Sequence, residues 1–209
     1  MDKNDAYIYD GMTAFEKEVK RLFDFITALV CIILFSPLYL ICYLAIKRDN
    51  DGPVIYKQIR IGRFGRPFYI YKFRSMVVDA EKNGEPQLWN AQTDRRLTKT
   101  GKFLRDHHLD ELPQFWNVLI GDMSFVGPRP ERKFYIKQIM EHDPRYECLY
   151  QIRPGITSMA TIYNGYTDTM EKMLKRLEMD LEYLENRSWW LDFKIIFLTF
   201  INIAFGKKF

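Results

Sequence analysis

From Phe25 to Ile46 no residue is charged, a run of 22 positions flanked by Lys17, Lys20 and Arg21 on one side and Lys47 and Arg48 on the other. A helix needs roughly 20 apolar residues to cross the hydrocarbon core of a bilayer, so the run is long enough to span. Ser36-Pro37 stands near its middle, however, and proline there removes an intrahelical hydrogen bond and collides with the preceding turn. Basic residues at both ends also favour placing both ends on the same, cytoplasmic side. The pattern leaves a spanning helix and a bent, re-entrant helix over residues 22–48 both open. In the bent form Ser36 and Pro37 set the bend, with Ser36 available to a freed carbonyl.

Beyond it, residues alternate apolar and polar from Pro53 to Met76 around Gly62 and Gly65, which predicts a β-hairpin with strands at Val54–Ile61 and Pro67–Phe73. The polar stretch Asp79–Arg96 predicts a loop with some helix, placed to order over a bound substrate. Helices are predicted at Gly101–Asp106, Glu111–Ile120, Glu131–His142 and Thr169–Asn186. In the last, Met170, Met173, Leu174, Leu177, Leu181 and Leu184 recur at helical spacing and read as a packing stripe. The C-terminal segment carries Trp189, Trp190, Phe193, Ile196, Phe197, Phe200 and Phe205, interrupted by Asp192 and Lys194 and closed by Lys207 and Lys208. It reads as an interfacial amphipathic helix, or alternatively as a helix packed on the core. The chain divides into a polar segment 1–21, the membrane helix 22–48 and a catalytic domain 49–209.

Composition adds limits. The 31 basic and 27 acidic residues leave a net charge of +4, a mild excess suited to an anionic membrane surface or phosphorylated substrates. The basic residues are dispersed and no nucleic-acid motif accompanies them, so nucleic acid is not an expected partner. Cys31, Cys42 and Cys148 have no C-x-x-C spacing. The N-terminus lacks the pattern of a cleavable signal.

The densest chemistry lies between Leu109 and Pro130, LDELPQFWNVLIGDMSFVGPRP. Asp110 and Glu111 are adjacent at the expected start of a helix, with Asp110 as its N-cap and Pro113 in the first turn. There the helix end favours anions. Glu111, Gln114 and Asn117 then recur every three positions, opposite Leu112, Phe115, Trp116 and Leu119. Such a pair can contact Mg²⁺, which prefers oxygen ligands and bridges carboxylates to substrate phosphates. Arg129, in the rigid GPRP turn, has a fork suited to phosphate. Arg105, Lys72 and Arg74 either neutralise phosphate or pair with an acidic neighbour. His107 and His108 are consecutive, point about 100° apart on a helix, and make a poor joint ligand pair.

These blocks resemble the bacterial polyprenyl-phosphate glycosyl-1-phosphate transferases, the monotopic sugar transferases. The resemblance runs through KFRSM (Lys72 to Met76), TDRRLTKTGKFLRDHHLDELPQ (Thr93 to Gln114), GDMSFVGPRP (Gly121 to Pro130), RPGIT (Arg153 to Thr157) and ENRSWWLDFKI (Glu185 to Ile195). It implies a mixed α/β, mostly helical fold of the small form, with a compact cytosolic domain, a small β-hairpin and a re-entrant N-terminal helix. It implies transfer of sugar 1-phosphate from a UDP-sugar to polyprenyl (undecaprenyl) phosphate with release of UMP and a requirement for magnesium. Asp110 then corresponds to the nucleophile, and Glu111 orients the metal or handles a proton. The implied setting is the cytoplasmic face of the bacterial inner membrane, among lipid and possible downstream glycosyltransferases. Asp94, Arg95 and Arg153 lie in matched blocks without assigned roles. One departure follows RPGIT, where Ser158, Met159, Thr161 and Ile162 replace the family's usual residues. A metal-dependent phosphohydrolase and an inactive membrane scaffold are the alternative functions.

Overall fold

The computed structural model describes residues 7–49, 52–78, 80, 96–165 and 167–205. Two helices open the chain, α1 at Ala14–Leu34 and α2 at Ser36–Asp49, bent by 60° between them. Thr13 starts α1 in a capping box: its hydroxyl accepts from Glu16 N–H, and the Glu16 carboxylate accepts from Thr13 N–H. The bend falls at Phe35, just before Pro37, and Ser36 Oγ donates to Ile33 O at 2.8 Å, taking up a carbonyl at the break. The two halves are long and apolar enough together, and no single helix among the described residues is. Along α1 only Asp24 and Ala28 are buried, while Leu22, Phe23, Phe25, Ile26, Leu29, Val30, Ile33 and Leu34 are exposed.

The hairpin follows as expected, with β1 at Ile55–Ile61 antiparallel to β2 at Pro67–Phe73, in register from Ile55 opposite Phe73 to Ile61 opposite Pro67. Of the predicted loop at 79–96, residues 79 and 81–95 lie outside the described residues, Asp94 and Arg95 among them; so do Lys207 and Lys208. Then come α3 at Lys99–Asp106, α4 at Gln114–Ile120, β3 at Ser124–Val126, α5 at Lys133–His142, β4 at Gly155–Thr157, α6 at Met159–Asn164, α7 at Met170–Asn186 and α8 at Trp189–Ala204.

The periodicity did not announce the parallel pair β3–β4, in which Ser124 lies opposite Gly155 and Val126 opposite Thr157. Each strand has three residues, too few for a period of two to register. The strands carry GDMSFVG against RPGIT and so join two of the sequence blocks. A Cβ on Gly155 would lie 2.2 Å from Gly127 N, so only glycine permits this crossing. Ser158 caps α6, its Oγ accepting from Thr161 N–H inside the first turn at 3.0 Å.

The largest core gathers Val126, Ile136, Ile139, Leu149, Leu177, Leu181, Leu184 and Ile195 from β3, α5, the 3-10 segment Pro144–Gln151, α7 and α8. Met173, Leu177, Leu181 and Leu184 of the predicted stripe are buried, but so are Arg176, Asp180 and Tyr183 of the same helix. In α8, Asp192 and Ile195 face inward, and Asp192 takes Tyr183 Oη at 2.6 Å and Lys20 Nζ at 2.5 Å. Its other face exposes Trp189, Trp190, Phe193, Phe197 and Phe200.

Candidate active site

Asp110 and Glu111 lie in a short 3-10 turn, Leu109–Glu111, and α4 begins only at Gln114. This corrects the expected helix from Glu111 and the expected N-cap at Asp110. Leu112 and Pro113 join the two segments, with Pro113 as the N-cap of α4, a place where its missing N–H costs nothing. Chain reversal here uses i to i+3 bonds, Glu111 N–H to His108 O at 3.4 Å and Leu112 N–H to Leu109 O at 3.3 Å. His108 starts the turn in the left-handed region at φ 55°. The backbone is thus unusual one residue before Leu109 and the acid pair, where strain is expected at working sites.

The polar stripe of α4 points inward. Gln114 and Asn117 are buried, whereas Trp116 and Ile120 are half exposed. Asn117 Oδ1 accepts from Tyr71 N–H at 3.0 Å and its Nδ2 donates to Tyr69 O at 2.7 Å, so its amide pairs with the edge of β2 as another strand would. Lys72 is the next residue, and its Nζ reaches Glu111 Oε1 at 2.5 Å. The latch was missed in the sequence because a polar residue at helical spacing looks solvated until its partner strand is known. The C-terminus of α4 closes on Gly121, at φ 95°, with Asp122 N–H also bonding Asn117 O at 2.9 Å.

The bend of the first two helices touches the same unit. Tyr39 Oη donates to Leu112 O at 2.5 Å, and the rings of Phe35 and Phe115 stack with centroids 6.3 Å apart.

The two carboxyls are electrostatically unequal. Burial pushes Asp110 above its ordinary value; Lys72 opposes this, and the charge of Glu111 adds to it. Burial acts on Glu111 in the same sense but is outweighed, chiefly by Lys72 and then by Arg129, which hold that carboxyl below its ordinary value. Glu111 is therefore a matched anion, while Asp110 is a buried, more basic oxygen short of positive charge. Arg105 and His108 also oppose the effect of burial on Asp110, and Arg105 Nε donates to Ser75 Oγ at 2.9 Å.

Lys72, Arg105 and Arg129 thus converge on the acid pair. Arg74 is turned elsewhere: its N–H donates to Val54 O at 2.8 Å, and its guanidinium lies over Gly52. Arg129 is set by the β3–β4 loop, in which Gly155 N–H bonds Pro128 O at 2.9 Å and Gly127 N–H bonds Thr157 O at 3.1 Å. The next residue but one, Glu131, pairs with Arg176 at 3.1 Å and Arg60 at 3.6 Å. His107 points away, its Nδ1 donating to Phe103 O at 2.9 Å.

No cluster of three His, Cys, Asp or Glu side chains suited to a metal occurs among the described residues. Two adjacent carboxylates, one of them buried and under-compensated, nevertheless fit a hard cation that fills its remaining positions with water and phosphate oxygen.

The sequence profile of the bacterial sugar transferase family matches residues 15–206. Over 189 residues the chain is 47% identical to a UDP-glucose:undecaprenyl-phosphate glucose-1-phosphate transferase of Klebsiella pneumoniae, covering 88% of this chain and 40% of that protein. It is 41% identical over 188 residues to a UDP-N-acetylgalactosamine-undecaprenyl-phosphate N-acetylgalactosaminephosphotransferase of Aeromonas hydrophila, covering 90% of this chain and 44% of that one. An exopolysaccharide production protein of Rhizobium leguminosarum is 37% identical over 198 residues, with 91% of this chain and 98% of the relative covered. The chain spans less than half the length of the first two relatives and nearly all of the third. With almost its whole length matched, the chain belongs to the bacterial sugar transferase family.

Proposed function

We propose that the chain transfers a sugar 1-phosphate from a UDP-sugar to undecaprenyl phosphate, with Asp110 as nucleophile. The observation that carries this reading is the divided acid pair: a buried, electron-rich Asp110 beside a Glu111 already matched by Lys72, with Arg105 and Arg129 acting on the same place. The names of the relatives supply the donor and acceptor classes.

In the first displacement a carboxylate oxygen of Asp110 attacks the phosphorus that bears the sugar, and the bond from that phosphorus to the UMP oxygen breaks. UMP departs with the electron pair, leaving an acyl phosphate diester between Asp110 and the sugar. In the second, an oxygen of undecaprenyl phosphate attacks the same phosphorus and frees the Asp110 carboxylate. Arg129 and Arg105 are the groups to bind the diphosphate oxygens, since an anionic nucleophile reaches a phosphate only when that charge is offset. Lys72 keeps Glu111 ionised and fixed. Asp110 and Glu111 would hold Mg²⁺, which when bound supplies charge neutralisation at the phosphate oxygens.

The acceptor is a membrane lipid, and the exposed apolar faces of α1, α2 and α8 suit immersion in a bilayer, the 60° bend favouring re-entrance over a straight span. Because Phe35 and Tyr39 at the bend contact α4 and Leu112, this arrangement would hold the acid pair at headgroup depth. The test is UMP release from a panel of UDP-sugars by nanodisc-embedded protein with Mg²⁺, with and without undecaprenyl phosphate. Turnover is expected to need the lipid and to fall at least about a thousandfold in Asp110→Asn, the scale of losing an essential nucleophile. Turnover without lipid would point to a hydrolase, and substantial turnover in Asp110→Asn would overturn the covalent route.

A further inference from the structure

A polar cavity lies away from the acid pair. It measures about 30 Å³ and is lined by Lys17, Lys20, Arg21 and Asp24 of α1, Arg63, Ser124, Arg153 and Arg187, with Gln151 and Ile152. Arg21 donates to Val118 O and Leu119 O at the C-terminal end of α4, whereas Asp110 and Glu111 precede its N-terminal end. Seven helical residues, roughly 10 Å, separate the two ends.

The cations of this cavity fall into two groups. Lys17 and Arg187 pair with Asp10 at 2.8 and 2.6 Å, and Lys20 pairs with Asp192 at 2.5 Å. Among the described residues, Arg21, Arg63 and Arg153 donate to neutral carbonyls: Arg21 as above at 2.6 and 2.8 Å, Arg63 Nε to Gln151 O at 3.0 Å, and Arg153 Nε to Gly121 O at 2.8 Å. Among the described residues the carboxylate that lines the cavity is Asp24, whose Oδ1 accepts from Phe125 N–H at 3.2 Å. Three guanidinium groups therefore face one carboxylate. Burial lowers the Arg153 guanidinium below its ordinary value, and Arg63 and Arg21 lower it further, while Asp24 and Glu18 offset part of this.

A separate observation also points to a polar ligand. Ser124 is 2% exposed, lines this cavity, and its hydroxyl has no hydrogen-bond partner. A buried hydroxyl left unpaired costs about 1–3 kcal/mol, so a polar occupant is favoured. The volume admits roughly two water-sized positions, at about 10–15 Å³ each, which suits the two unesterified oxygens of a phosphate group with its remainder outside.

We propose that this crevice is a phosphate-binding site, distinct from the acid pair, in which Arg21, Arg63 and Arg153 bind the anionic oxygens and Ser124 Oγ donates to one of them. Asp24 is the last charge before the uncharged run from Phe25, so the crevice lies where α1 leaves the polar region. The phosphate comes either from an anionic phospholipid headgroup or from a soluble ion. The lipid source rests on the reading of α1 and α2 as membrane-inserted; the soluble source does not.

The test is thermal unfolding of the full chain in nanodiscs at constant ionic strength. One arm titrates inorganic phosphate in discs of neutral phosphatidylcholine, and the other raises the fraction of phosphatidylglycerol without free phosphate. Native protein should show a saturable rise in Tm. Ser124→Ala should weaken half-saturation about tenfold, the scale of one hydrogen bond to a charged group, without lowering Tm in phosphatidylcholine alone. Arg63→Gln, a change at a partly exposed side chain, should weaken it as well. Phosphate bound at Arg129 or Lys72 is common to all three proteins and drops out of the comparison. A shift with phosphatidylglycerol identifies a lipid headgroup, and a shift with phosphate alone identifies a soluble anion. Equal responses from native protein and both variants, or no saturable response in either arm, would overturn the proposal. Neither result depends on whether UMP is released.

Discussion

Asn117 shows how one buried amide can position a site it does not enter. Both of its polar ends bond the backbone of β2, at Tyr69 and at Tyr71 next to Lys72, and its own carbonyl accepts from Gly121, Asp122 and Met123. Asn117→Leu keeps the size but leaves Tyr71 N–H and Tyr69 O without those partners. The expected loss is about 2–4 kcal/mol in denaturant unfolding, the desolvation cost of two orphaned groups. A loss below about 1 kcal/mol would mean that water or the strand compensates. At this scale the acid pair and Arg129 were legible from residue type and spacing, while the direction of Arg74 was not. Lys72 and Arg74 are two residues apart in sequence, yet one reaches Glu111 and the other lies over Gly52.

At the level of elements, α1 begins at Ala14, well before the expected residue 22, whereas the hairpin and α7 follow from periodicity to within a residue or two, because each has enough positions to repeat its pattern. The 3-10 turn at Leu109–Glu111 and the β3–β4 pair do not, being only three residues per segment. The β3–β4 crossing nevertheless sets Arg129, since GPRP leaves β3 and is bonded by Gly155 of β4. Gly155→Ala would drive a Cβ to 2.2 Å from Gly127 N, where backbone must move. We expect a loss of about 2 kcal/mol or more from overpacking and a larger fall in turnover than in the global fold would explain. Circular dichroism and UMP release measured together check this; full activity in a stable variant would show that the loop's placement is not needed.

For the whole molecule, the buried ionic group of Glu131, Arg60, Arg176 and Asp180 links β1, the GPRP loop and α7. Burial raises Asp180 to about 7, against which Arg176 provides partial relief, and its Oδ1 lacks a hydrogen-bond partner. An unfolded Asp titrates near 4, so between these values the folded state binds the extra proton. The stability from this group is full below about pH 4, falls as pH rises through about 7, and is constant above. Unfolding free energy should therefore drop by a few kcal/mol between pH 5 and 8 on account of this group, an order-of-magnitude figure. Asp180→Asn should flatten that part of the profile and gain stability at pH 8. A variant whose profile parallels the native one would show that Asp180 is ionised throughout.

The residues by themselves determined the family, the acid pair, the uncharged run with a proline near its middle and the helices with their packing stripe, because these rest on chemistry and periods that short-range spacing carries. Tertiary structure alone decided that the polar stripe of α4 faces inward onto β2, that Lys72 instead of Arg74 reaches Glu111, and that a buried serine lines one cavity with three arginines from separate parts of the chain. Each of these depends on contacts between residues far apart in sequence, where desolvation decides which polar groups must pair and no local pattern records the partner.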